Sequence, residues 1–147
     1  MPDFKNYING AWVDAKGGAA MERANPATGA MIGSFPKSGR DDVVAAVEAA
    51  NNAFDSWRRY PAPKRGEILY RVGQLMMERK EQLGREMTEE MGKVLTEAKG
   101  DVQEGIDMAF YMGGEGRRMF GHTVPAELPN KWAMSVRKPL GVVAAIT

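Results

Sequence analysis

The sequence contains no cysteine. That excludes a disulfide, a thiolate metal ligand and, within these residues, a thiol nucleophile. A single histidine, His122, removes most Ser/His/Asp and zinc arrangements as well. It follows Gly121 in a loop-like stretch and reads as a surface side chain. Charge of one sign is also missing: 20 Lys and Arg face 19 Asp and Glu, for a net charge of +1. No long basic run is interleaved with aromatics, so neither nucleic acid nor an acidic membrane is an expected partner. Arg58, Arg59, Lys64 and Arg65 cluster around a Pro-rich turn and read as a solvated basic corner. No apolar run approaches the roughly 20 residues that span a bilayer. The start, Met1-Pro-Asp-Phe-Lys5, lacks the apolar core of a signal peptide, and a cytoplasmic protein is expected.

What is present is ordinary globular material: 147 residues, 44% hydrophobic and 27% charged. Asn9-Gly10 sits between the short apolar segments Tyr7-Ile8 and Ala11-Trp12-Val13, which predicts a tight hairpin with two residues at φ > 0. Asn25-Pro-Ala-Thr-Gly29 is a turn by its chemistry, and Ala30 to Phe35 follows as a strand.

From Ser38 the period changes. Ser38-Gly-Arg-Asp41 resembles a capping box, and Val43, Val47, Ala50, Phe54 and Trp57 then fall on one helical stripe. Pro61 and Pro63 punctuate the chain before a second helix. On it Ile68, Leu69, Val72, Leu75 and Met76 are expected to face inward, with Lys64, Arg65, Glu67, Arg71 and Glu78 outward. A third helix, Lys80 to Met91, should end at Gly92 in a left-handed cap. A fourth is expected over Leu95 to Met119. Gly100, Gly105, Gly113, Gly114 and Gly116 each weaken that helix by up to about 1 kcal/mol. Gly113-Gly-Glu-Gly116 follows no strand and precedes no Lys-Ser/Thr, so it fails the context of a phosphate loop and reads as close helix packing or a narrow channel wall. Met76, Met87, Met91 and Met108, among 11 methionines, are expected as core filler.

Beyond Pro129, Trp132, Met134 and Val136 alternate with polar or small residues as in a half-exposed strand. Leu140-Gly-Val-Val-Ala-Ala-Ile-Thr147 is mostly apolar without alternation, which predicts a strand covered on both faces, as in a parallel sheet.

This ordered series resembles the N-terminal part of the aldehyde dehydrogenase superfamily. The motifs that carry the resemblance are Ile8-Asn-Gly-Ala-Trp12, Asn25-Pro-Ala-Thr-Gly29, Asp42 to Ala50 with Trp57, Glu90-Met-Gly-Lys93 with Glu97-Ala98, and Arg137-Lys-Pro-Leu-Gly-Val-Val143. The wording of Pro61 to Ile68 and of Glu90 to Lys93 is similar to semialdehyde-oxidising, antiquitin-like branches.

The resemblance implies an α/β fold in which β-hairpins and a helical block pack on a Rossmann-like cofactor domain, with an oligomerisation strand. Residues 1–130 would be the hairpin and helical part, 131–139 the oligomerisation strand, and 140–147 the first strand leading toward the active site. In the family a Cys thiolate attacks an aldehyde, an Asn amide and a backbone N–H hold the oxyanion, and hydride passes to NAD or NADP. A Glu-activated water then hydrolyses the thioester. All of those side chains lie downstream of Thr147, so residues 1–147 alone are expected to be inactive.

By the same resemblance, Ile146 and Thr147 border the nicotinamide-ribose region, and Asp101, Glu104, Gly105 and Met108 shape the aldehyde tunnel. Glu90, with the carbonyls of Arg23 and Ala24, matches a monovalent-cation site. A small aldehyde or semialdehyde substrate and a homodimer or homotetramer of the full-length chain are implied. The alternative is a non-catalytic short homologue that acts as an interaction or oligomerisation module.

Overall fold

The computed structural model describes residues 3–147. Its first element is the expected hairpin, β1 (Asn6–Ile8) antiparallel to β2 (Ala11–Val13), with Tyr7 opposite Trp12. Asn9 and Gly10 take φ of 51° and 80°, the left-handed pair that a two-residue turn needs to match strand twist. A second hairpin pairs β3 (Ala20–Ala24) with β4 (Met31–Pro36). Its turn is held by the Asn25 side-chain oxygen, which accepts from the backbone N–H of Ala27 and Thr28 at 2.8 and 3.2 Å.

Four helices follow: α1 (Arg40–Arg59), α2 (Ala62–Glu78), α3 (Lys80–Met91) and α4 (Leu95–Glu115). The start of α1 lies one residue later than the sequence suggests. Gly39 is the N-cap, and the Asp42 carboxylate, at the third helical position, accepts the Gly39 N–H at 2.8 Å. Ser38 is instead engaged by the Asn6 side chain at 2.8 Å, tying the first hairpin to the helix start. At the other end of the block, Gly92 takes φ 78° and closes α3 as expected.

The core lies along α4. Ala98, Val102, Ile106, Ala109 and Gly113 recur at three- and four-residue spacing and are its buried stripe. These side chains are small, and α2 answers with glycine. A Cβ built on Gly66 would lie 2.1 Å from the carbonyl oxygen of Gly113, so the two backbones touch directly. Seven residues on, the Phe110 ring lies against Gly73, 3.1 Å from where its Cβ would be. α3 makes a similar approach, with buried Gly84 against Lys99 and Leu95.

This close contact overturns the inward face expected of α2. Ile68, Leu69 and Val72 are exposed, whereas Gly66 and Gly73 are buried. Branched side chains would hold the helix axes apart, and the α2 backbone turns its glycines to α4 instead. Leu75 and Met76 are half-buried as expected, but Arg65, expected outward, is partly buried with its guanidinium 5.9 Å from the Trp57 ring. Met87 is half-buried, while Met91 and Met108 are exposed rather than core filler. α4 ends at Glu115, short of Met119, because Gly116 seats against the Ala62 carbonyl at the start of α2.

A third hairpin, β5 (Thr123–Pro125) with β6 (Trp132–Met134), follows the helices. β6 is shorter than the alternation over Lys131 to Lys138 suggests, and both of its faces are exposed. Leu140 to Thr147 is the largest correction. No strand forms there, and Leu140 and Ile146 are each 98% exposed. A two-faced apolar strand needs ladder partners and covering layers, and among the described residues every sheet is a separate two-stranded hairpin.

The glycine contact can be tested by a pair of substitutions in one fold. Gly66→Ala should destabilise the protein by about 3 kcal/mol, since backbone rather than a flexible side chain must yield. Gly100→Ala, with nothing within 4 Å of its Cβ, should stabilise it by about 0.5–1 kcal/mol. Urea unfolding of both variants reads the opposite signs.

Candidate functional site

Of the polar residues singled out in the sequence, Glu90, Lys93 and Asp101 lie at the junction between α3 and α4. The left-handed Gly92 reverses the chain there, and Pro26 of the second hairpin lies 3.0 Å from where a Gly92 Cβ would be. The Arg23 guanidinium donates to the Glu90 carboxylate at 2.8 Å, so hairpin and helix end are joined by a charged pair as well. Both side chains are about half exposed, which limits that pair to about 0–1 kcal/mol. Glu90 is thus already partnered by a side chain whose backbone carbonyl was the expected cation ligand. Among the described residues no group of three or more His, Asp or Glu side chains is placed to hold a metal ion.

One turn further, Lys93 donates to Asp101 in a short contact that spans the loop into α4. The hydrogen bond from Lys93 to Asp101, aided by the charges of Asp101, Glu97 and Glu104, raises the Lys93 ammonium above its ordinary value of 10.5. Alongside, Lys99 bonds Glu81 at 2.5 Å and lowers that carboxyl below its usual range, with Arg85 adding to the effect. Lys80 donates to Gln103 at 2.7 Å, a second polar tie between α3 and α4.

The four candidate tunnel residues occupy one flank of α4 without sharing one environment. Asp101 is held by Lys93, while Glu104 and Met108 are exposed. Gly105 borders the buried stripe, and the space its missing side chain leaves is taken by the Met76 methyl, 2.8 Å from an ideal Cβ. Ile146 and Thr147 lie exposed in the extended terminal segment. The basic corner is largely self-paired: Arg58 and Arg59 both engage Asp55, and Lys64 bonds Glu67 at 2.9 Å. His122 is exposed, and its backbone N–H donates to Ser135 Oγ at 2.9 Å, closing the base of the third hairpin.

Asp42 entered the sequence reading only as the start of a motif, and its role comes from the structure. Among the described residues it is the one buried acidic group, 5% exposed, and its oxygens accept the backbone N–H of Gly39 and of Lys16, each at 2.8 Å. It therefore pins the loop between the first two hairpins to the start of α1. The Gly39 and Lys16 hydrogen bonds, in that order, hold its carboxyl below the ordinary 3.8. Because the folded-state value is depressed, the stabilisation is complete above 3.8 and disappears as pH falls through the lower folded value. The Asp-three-residues-after-Gly spacing was visible, but the contact to Lys16, 26 positions away, was not.

Asp42→Asn should lower the melting temperature at neutral pH and flatten the acid limb of its pH profile. An unchanged acid limb would contradict the assignment. Asp101→Asn should bring the Lys93 titration back down toward 10.5, as followed by NMR of the lysine side chain. No downward movement would show that the pair does not form in solution.

The chain is similar to known proteins in sequence and in fold. The aldehyde dehydrogenase family description matches residues 12–147. The succinate-semialdehyde dehydrogenase [NADP(+)] of Escherichia coli is 43% identical over 140 residues, 95% of this chain and 29% of that protein. The glutarate-semialdehyde dehydrogenase of Pseudomonas aeruginosa is 43% identical over 141 residues, 96% of this chain and 29% of its own length. The crystal structure of an NADP-dependent E. coli enzyme superposes with a TM-score of 0.84 at 41% identity, covering 88% of this chain and 27% of that one. The chain thus spans less than a third of the length of the relatives it matches. Matched along nearly all its residues in sequence and in fold, it belongs to the aldehyde dehydrogenase family.

Proposed function

We propose that these residues are the N-terminal supporting segment of an NAD(P)-dependent semialdehyde dehydrogenase that oxidises an aldehyde to a carboxylic acid. The observation that carries this reading is the 43% identity to two semialdehyde dehydrogenases over nearly the whole chain. The substrate class is then a short aliphatic aldehyde with a carboxylate at its other end. When bound, the nicotinamide cofactor, NAD or NADP, takes up the hydride leaving the aldehyde carbon.

The residues present suit one edge of such a cofactor. Ile146 offers an uncovered apolar side chain, and Ile146 and Thr147 would border the nicotinamide-ribose end. The Gly113-Gly-Glu-Gly116 run is no phosphate cradle for the cofactor, because Gly113 and Gly116 are taken up by contact with α2. Glu104 and Met108, exposed on α4, would line the substrate passage, while Asp101, held by Lys93, and Gly105, filled by Met76, would keep that helix in place behind them. Glu90, with the carbonyls of Arg23 and Ala24, is a candidate monovalent-cation site, its carboxylate being shared with the Arg23 guanidinium.

Residues 1–130 form the hairpin and helical part in this reading. Residues 131–139 supply the oligomerisation strand of a homodimer or homotetramer, which suits the exposed Trp132, Met134 and Val136, and 140–147 lead to the active site. A cytoplasmic location belongs to the same reading. Chemistry requires a nucleophile these residues lack, since they contain no cysteine.

The test is nicotinamide reduction by the whole polypeptide with succinate, glutarate and malonate semialdehydes. Turnover of at least one is expected, and no semialdehyde-dependent NADH or NADPH would overturn the proposal. In the active protein, Met108→Trp should raise KM for the aldehyde by about tenfold and leave KM for the cofactor unchanged. Equal change in both would remove Met108 from the passage.

A further inference from the structure

We draw no further inference here: the strongest candidate, the exposed apolar stripe of Val43, Val47 and Trp57 along α1, carries nothing because nothing in the structure shows what covers it.

Discussion

The structure depends on backbone meeting backbone where α2 crosses α4. At Gly66 and Gly113 there is no room for a single methyl group, and that contact sets how near the two axes lie. The rest follows from this spacing. Ala98, Val102, Ile106 and Ala109 bury completely or nearly so because the neighbouring helices come close enough to cover small side chains. α3 then packs on α4 through Gly84, and the polar ties Lys80 to Gln103 and Lys99 to Glu81 fix its register. Glycine is unfavourable to helix propensity. Here it is the condition for packing a core with so few large side chains.

Around that block the hairpins are attached by specific polar contacts more than by apolar burial. Asp42 holds the loop before β3 to the start of α1, and Arg23 and Pro26 hold the second hairpin to the end of α3. The outer surfaces stay strongly apolar, including the α1 stripe, the third hairpin and the terminal segment. A chain that spans less than a third of its relatives exposes the surfaces that this reading assigns to the remaining enzyme and to other subunits.

Local chemistry made much of this legible beforehand. The Asn9-Gly10 turn, the Asn25 turn and the Gly92 cap were readable because each needs a particular residue in a particular backbone conformation. The helices were readable from period, but their facing was not. Ile68, Leu69 and Val72 have the pattern of an inner face, and only the partner helix reveals that Gly66 and Gly73 are the inner face instead. The buried stripe of α4 was hard to read because three of its five residues, Ala98, Ala109 and Gly113, carry little hydrophobic signal. Leu140 to Thr147 shows the opposite case: its composition is that of a doubly covered strand, and composition alone supplies neither ladder nor cover. In the candidate site Glu90, Lys93, Arg23 and Asp101 were all singled out by resemblance, but the pairing of the Arg23 side chain with Glu90 and of Lys93 with Asp101 depends on chain reversals that no local period encodes.

In the proposed function these residues scaffold chemistry supplied by the rest of a longer polypeptide. Intact-mass measurement of the protein purified from its natural source tests this most directly. A mass roughly three times the 16.1 kDa of residues 1–147 is expected, in keeping with the 29% share of each relative that they cover. A native species of 16.1 kDa would contradict it and favour a short, non-catalytic homologue.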